Sequence, residues 1–220
     1  MTVLYFITGT DTDCGKTYVT TQLLQWLHAQ GKTAQAIKPV ASGCYKNEGE
    51  LINPDIEQLQ KYNGDSFKSI HQWLFEEPIA PHIAAQKKDI KISAKEIALF
   101  CRSFVSDGLD YLLIEGAGGL LVPLNDTETW VDVLTQDVLK PYGLSVIVVV
   151  GVTLGCINHA LLTESYLLSH HLPCAGFILN EIDKDCLEKE AIKRTLTQKM
   201  NIPLISSIPY CGNIVFFSEG

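Results

Sequence analysis

Four absences narrow this chain before any motif is read. No apolar run approaches the ~18 uninterrupted residues of a membrane-spanning helix, so none is expected in its 220 residues. No C-x-x-C pair occurs among the seven cysteines, Cys14, Cys44, Cys101, Cys156, Cys174, Cys186 and Cys211, which are scattered and odd in number. That argues against a structural zinc or a disulfide framework and for reduced thiols in a cytoplasmic protein. Basic charge is not in surplus: 17 Lys and Arg against 25 Asp and Glu leave a net charge of −8. Non-specific nucleic-acid binding needs a basic face and is disfavoured, and an anionic ligand must be held by a few placed cations. Nor is there a basic leader with a cleavage site; the N-terminus reads directly as a strand, so no signal peptide is expected. The remaining composition, 46% hydrophobic and 19% charged, is that of a soluble globular protein. With no repeat, low-complexity segment or linker, residues 1–220 read as one domain.

Apolar strand-like runs alternate with helical patterns. Strands are predicted at Val3–Thr8, Thr33–Val40, Tyr111–Glu115, Ser145–Gly151, Cys174–Leu179 and Leu204–Ile208. The unbroken run Val146-Ile147-Val148-Val149-Val150 is what a strand buried on both faces looks like, and parallel sheets supply that environment. Helices are predicted at Tyr18–Gln30, Pro54–Tyr62, Ala94–Phe104, Trp130–Leu139, Ile157–His170 and Asp185–Met200, with Ser93-Ala94-Lys95-Glu96 read as a capping box and Gly31, Gly108 and Gly143 as helix exits. The alternation predicts a three-layer α/β/α sandwich around a mostly parallel sheet, with ligands at the carboxyl ends of the strands.

The first strand runs into Gly9-Thr10-Asp11-Thr12-Asp13-Cys14-Gly15-Lys16-Thr17, and a helix follows. Strand, glycine-bearing loop, Gly-Lys-Thr, helix is the pattern of a phosphate-binding P-loop. Helix N–H groups and the helix dipole meet the anion, Lys16 sits on the outer phosphates, and the Thr17 hydroxyl completes a magnesium shell. Strict spacing asks for glycine at position 10, where this chain has Thr10; the glycine is one step earlier.

Other motifs fall at strand ends. Tyr111-Leu112-Leu113-Ile114 delivers Glu115, followed by Gly116-Ala117-Gly118-Gly119; an acidic residue at the end of an apolar strand beside a P-loop binds magnesium directly or through water. Lys38, in Lys38-Pro39-Val40-Ala41-Ser42-Gly43, either neutralises charge on a transferred phosphoryl group or simply snorkels at a strand end. Asn53-Pro54-Asp55 suits a helix start, with Asp55 either at the positive helix end or serving as a second magnesium carboxylate. Leu154-Gly155-Cys156-Ile157-Asn158-His159 is a helix start whose N–H groups suit a carboxylate, or a plain loop. Asn180-Glu181-Ile182-Asp183 is a base-reading position or an Asx-type turn. Glu181 stands where guanine binders have lysine, which disfavours a guanine switch.

Taken together, Gly9–Thr17, Lys38–Gly43, Asp55, Pro81-His82-Ile83, Glu115–Gly119, Pro123-Leu124, Gly151–Ala160 and Ile208-Pro209 resemble the dethiobiotin synthetases, over a span from about Tyr5 to Pro209. The glycine at position 9 resembles that family's own P-loop variant. The apolar stretch Ile214-Val215-Phe216-Phe217 departs from the family pattern. The resemblance implies an ATP- and Mg2+-dependent ligase that closes a ureido ring on 7,8-diaminononanoate with CO2, through a carbamate and its phosphorylated anhydride. It implies that Asp13, Cys14, Gly15, Lys16, Thr17 and Tyr18 wrap the nucleotide, and that Lys16 and Lys38 stabilise the transferred phosphoryl group. Thr17, Asp55 and Glu115 would hold magnesium, and Thr12 and Ser42 would touch the carbamate or diamine. Gly116, Ala117 and Gly118 would line the site, and Asn180 and Glu181 would meet the adenine with Pro209, Tyr210 and Cys211. It further implies a homodimer in which the partner's copy of Leu154, Gly155, Cys156, Ile157 and Asn158 cradles the substrate carboxylate.

Three other classes fit less well. A partner-switching ATPase of the same fold usually has a second lysine early in the P-loop, where this chain has Asp11. A small-molecule kinase would leave phosphate on its product. A turnover-free binding module does not need two lysines and two carboxylates converging on one phosphate.

Overall fold

Burial on both faces accounts for the run Val146–Val150, whose side chains are all at most 3% exposed. The computed structural model describes residues 1–64 and 69–217. In chain order its elements are β1 (Val3–Gly9), α1 (Lys16–Ala29), β2 (Ala34–Ile37), β3 (Val40–Ala41), β4 (Tyr45–Asn47), β5 (Glu50–Ile52), α2 (Pro54–Tyr62), β6 (Trp73–Leu74), α3 (Pro81–Gln86), α4 (Ala94–Arg102), β7 (Tyr111–Gly119), α5 (Trp130–Leu134), a 3₁₀ turn (Lys140–Tyr142), β8 (Ser145–Gly151), α6 (Cys156–Ser169), β9 (Cys174–Asn180), α7 (Lys189–Lys199), β10 (Leu204–Ile208) and β11 (Val215–Phe216). Seven strands form one sheet in the order β11-β10-β9-β8-β1-β7-β2. Every pairing in it is parallel except β10 with β11. Flanking helices complete the expected α/β/α sandwich.

β1 sits at the centre, between β7 and β8. The chain visits β2 and β7 on one side of it and β8, β9 and β10 on the other. Such a reversal opens a crevice at the carboxyl ends of the central strands. Ile7 of β1 lies opposite Glu115 of β7, and the register then slips so that Gly9 meets Gly119. This irregularity carries β7 past the predicted end at Glu115.

Several boundaries differ from expectation for local reasons. β2 stops at Ile37 because the Lys38 N–H donates to Ile70 O, outside the sheet, and Pro39 has no N–H to offer. Val40–Ala41 then pairs with Trp73–Leu74 in a separate two-stranded ladder. α5 ends at Leu134, not Leu139, where Thr135 Oγ1 and Gln136 Nε2 donate to the Asp132 carbonyl and Gln136 N turns to Val133 O instead. α7 starts at Lys189 because Asp183 Oδ1 accepts from Asp185 N in an Asx turn and Glu188 is left-handed at φ 57°. Ser93 makes no side-chain cap; the charged Glu128 carboxylate accepts from Ala94 N instead. The capping box that does form is Thr129 with Asp132, at α5. Gly31 and Gly143 adopt positive φ at helix exits and Gly108 does not.

All seven cysteines are free. Burial pushes the Cys174 thiol up to about 11. Among the described residues no helix is long and apolar enough to cross a membrane.

One buried acid ties α6 to the segment entering β10. Glu164 is 4% exposed, and its Oε1 accepts from Asn201 N and Ile202 N, both at 2.6 Å. Glu164→Ala is expected to cost about 2–4 kcal/mol, because both N–H groups lose a charged acceptor. Urea denaturation measures this; a loss under about 0.5 kcal/mol would show that the bonds contribute little.

Candidate active site

The loop after β1 folds back on itself so tightly that two positions admit only glycine. A Cβ on Gly9 would lie 2.4 Å from Cys14 Sγ and 2.7 Å from Asp11 O. The glycine is therefore required at position 9, where the strand meets the loop interior, and Thr10 is tolerated at the position that strict spacing reserves. Gly15 has φ 84°, and a Cβ there would lie 2.1 Å from Asn180 Nδ2. No side chain caps α1 and its first turn has no acidic residue, which leaves the positive helix end to an external anion. Lys16 is 7% exposed and its ammonium donates to Asp11 O at 3.2 Å.

Beside the loop, three segments bring charges together. Glu115 arrives on β7, fully buried. Lys38 follows β2, whose Ile37 lies opposite Ile114. Asp55 stands in the first turn of α2, started by Pro54 and by the Asn53 side chain, which accepts from Asp55 N and Ile56 N. Lys38 Nζ is 2.7 Å from Glu115 Oε1 and 2.5 Å from Asp55 Oδ2. Thr17 Oγ1 donates to the same Glu115 oxygen at 2.7 Å. Burial favours the neutral amine of Lys38, but the charges of Glu115 and Asp55 outweigh it and hold its pKa above the ordinary lysine value. Burial likewise opposes ionisation of Asp55, and the Lys38 ammonium overcomes it and pulls that carboxyl below its usual range. Lys38 is thus an ammonium and Asp55 a carboxylate at neutral pH. The second Glu115 oxygen, Oε2, is buried and has no hydrogen-bond partner among the described residues.

The loop and, from the charge cluster, Thr17, Lys38 and Asp55 border one cleft of about 710 Å³; Glu115, expected at the site, lies fully buried behind them and does not line it. It gathers Thr12, Asp13, Gly15, Lys16, Thr17, Tyr18, Lys38, Ser42, Asp55, Ala117 and Gly118 from the expected residues. Other expected residues lie elsewhere. Cys14 is buried beneath the loop. Gly116 backs the wall without lining it; a Cβ there would lie 2.7 Å from Phe6 Cζ. Asn180 is 3% exposed and donates through Nδ2 to Cys14 O at 3.0 Å, so it braces the P-loop from behind. Glu181 accepts from Lys189 Nζ at 3.3 Å and Tyr210 N at 3.4 Å. Pro209, Tyr210 and Cys211 are exposed in the loop after β10, and neither they nor Leu154, Gly155, Cys156, Ile157 and Asn158 line the cleft.

Sequence reasoning gave no role to Gln58, Val122 and residues 78–81, which also line the cleft. Gln58 was within reach: it lies three residues after Asp55 on α2, hence on the same face. Residues 78–80 carry no local signal, and Pro81 enters only through the Pro81-His82-Ile83 stretch of the resemblance, without a role.

A family model described as an AAA domain matches residues 4–215. The ATP-dependent dethiobiotin synthetase BioD of Legionella pneumophila (strain Paris) is 42% identical over 210 residues, covering 96% of this chain and 95% of that protein. The chain belongs to the dethiobiotin synthetase family. A more divergent relative, the dethiobiotin synthetase of Wigglesworthia glossinidia brevipalpis, is 38% identical over 98% of this chain and 93% of its own. Among solved structures, chloroplast FtsY from Physcomitrella patens matches with a TM-score of 0.60 at 16% identity, over 99% of this chain and 63% of that one. The septum site-determining protein MinD from Pyrococcus horikoshii, complexed with Mg-ADP, matches at 0.57 and 16%, over 95% of this chain and 82% of that one. These two share the fold with the synthetase chain.

In this dethiobiotin synthetase relative the Thr17 hydroxyl and the Asp55 and Glu115 carboxylates are hard oxygen donors, and Glu115 Oε2 is an acceptor without a partner. The set fits a small hard divalent cation that takes its other ligands from water and phosphate. Among the described residues no group of three or more His, Cys, Asp or Glu forms a complete protein cage.

Removing Lys38 alone strands the buried Glu115 carboxylate. Lys38→Met is expected to cost about 3–5 kcal/mol, and adding Glu115→Gln to recover much of that loss. Urea denaturation of the singles and the double closes the cycle; a double variant no more stable than Lys38→Met would show that the two charges are not coupled.

Proposed function

We propose that this chain closes the ureido ring of dethiobiotin, joining 7,8-diaminononanoate to CO2 with ATP as the driving reagent in biotin biosynthesis. The observation that carries the reading is the Lys38–Asp55–Glu115–Thr17 cluster, whose Lys38, Asp55 and Thr17 line the same cleft as Lys16 of the P-loop. The relatives at about 40% identity, named for this activity, support it.

The chemistry needs such a site. One amine adds to CO2 and releases a proton, giving a carbamate. A carbamate oxygen attacks the γ-phosphorus of ATP, the bond to the β-phosphate oxygen breaks, and ADP leaves. The second amine attacks the carbonyl carbon of the resulting anhydride, the ring closes, and phosphate departs. Lys16 and Lys38 offset the negative charge on the phosphoryl group as it moves. Thr12 and Ser42 hold the carbamate or diamine so that the second amine is already near the carbonyl. Magnesium, held by Thr17, Asp55 and Glu115, would neutralise the outer phosphates. Because that cluster lies on the β7–β2 side of the P-loop, the nucleoside extends to the other side, towards Asn180, Glu181, Pro209, Tyr210 and Cys211. Asn180, with Nδ2 committed to Cys14, keeps its amide oxygen for the adenine edge.

The active form is a cytoplasmic homodimer of single-domain chains, 1–220, with the substrate at the interface and the partner's 154–158 backbone on its carboxylate. Exposed Leu121, Leu154 and Leu162 and an apolar cleft of about 420 Å³ that includes Leu120, Pro123 and Tyr166 supply a face that a second copy can cover.

Mixed with the diamine, bicarbonate, magnesium and ATP, the protein should release phosphate only when the diamine is present; diamine-independent release would defeat the assignment. Lys38→Ala should lower kcat about 100-fold or more with far less effect on the ATP dissociation constant, whereas matching losses would make Lys38 a binding residue only. Sedimentation should give a dimer for the natural chain and a monomer for Leu162→Glu; an unchanged mass in both would remove the α6 face from the interface.

A further inference from the structure

Residues 208–217 are fastened to one face of α1. Tyr18, Gln22 and Trp26 follow at four-residue spacing and so share that face. The Tyr18 hydroxyl donates to Gly212 O at 2.7 Å, Gln22 Oε1 accepts from Ile214 N at 3.2 Å, and the Trp26 and Phe216 rings lie 4.4 Å apart. β11 then runs antiparallel along β10, with Val215 opposite Ser207 and Phe216 opposite Ser206. The fully buried Ser206 hydroxyl donates to Val215 O at 2.8 Å. The loop 209–213 hangs between these fastenings, closed by Gly212 N to Pro209 O at 2.8 Å and held at its start by Tyr210 N on Glu181. Cys211 in it has φ 53°, a conformation a free chain rarely keeps.

We propose that Tyr18, which lines the cleft, and β11 form a clamp that holds the loop 209–213, outside the cleft lining itself, in place to meet the nucleoside of ATP, with Tyr18 as its positioning residue. This rests on the reading of the cleft as an ATP site. One helical turn carries both Lys16 and Thr17, which meet the phosphates, and Tyr18, which lines the cleft and holds the loop. The distance from phosphate to base is thereby built into the start of α1. A loop fastened beforehand does not have to be ordered when ATP binds, and that saving appears as affinity for the nucleoside part alone.

Titration calorimetry with two probes separates the parts: ATP, and inorganic tripolyphosphate, which carries the phosphates without the nucleoside, each with magnesium. Tyr18→Phe keeps the ring and removes the bond to Gly212. ATP affinity should fall about five-fold, the worth of one net hydrogen bond, with tripolyphosphate affinity kept within about two-fold. Phe216→Ala, remote from the phosphates, should show the same selective loss. Equal losses for both probes, or no loss for either, would overturn the clamp. If the natural chain binds ATP no better than tripolyphosphate, the reading of the site as an ATP site fails; if it prefers ATP and both variants keep that preference, only the clamp fails.

Discussion

Glu115 has no access to solvent, and everything around the cleft answers to that. A buried carboxylate is tolerable only when paired and hydrogen-bonded. Lys38 and Thr17 both reach its Oε1, and Lys38 needs Asp55 in turn to balance the charge that burial opposes. Three segments far apart in the chain are locked to one another by these contacts. The backbone follows: β2 breaks so that Lys38 can leave the sheet, and α2 starts where Asn53 and Pro54 present Asp55. The same carboxylate keeps one buried oxygen without a hydrogen-bond partner among the described residues.

The P-loop is the second fixed point, and it is fixed by close packing. Gly9 and Gly15 allow Cys14, Lys16 and Asn180 to occupy space that any Cβ would fill. Gly151 at the end of β8 belongs to the same set, since a Cβ there would lie 3.0 Å from Cys14 Cα. β1, β8 and β9 thus all end against one loop. The charge cluster takes the β7–β2 side of that loop and the loop 209–213 takes the β10 side.

The fold alone would not have distinguished this chain from FtsY or MinD, which share it at low identity. Function resides in side chains placed on such a scaffold. Here what separates the chain from them is its relationship, over nearly its whole length, to the dethiobiotin synthetases.

Much was legible in the residues alone. The β-branched run at Val146–Val150, the Gly-Lys-Thr after a strand, Glu115 at the end of an apolar run and the Asn-Pro-Asp start of α2 are local signals, because period, turn chemistry and capping act over a few neighbours. Ser145–Gly151, Leu204–Ile208 and Pro54–Tyr62 are bounded in the structure as read from the sequence. Contacts between distant residues decided the rest. Ser93 lost its cap to Glu128, and Asn180 turned to Cys14. Glu164 found two N–H groups 37 and 38 residues away, and Val215–Phe216 became a strand because β10 offered a free edge and α1 an aromatic. The sequence determined the main strands and helices and which residues carry charge, but not the short elements β3, β4, β5, β6, α3 and β11. Tertiary structure alone decided which charges meet and which polar groups are spent on holding the scaffold, because buried groups must find partners wherever the chain brings them.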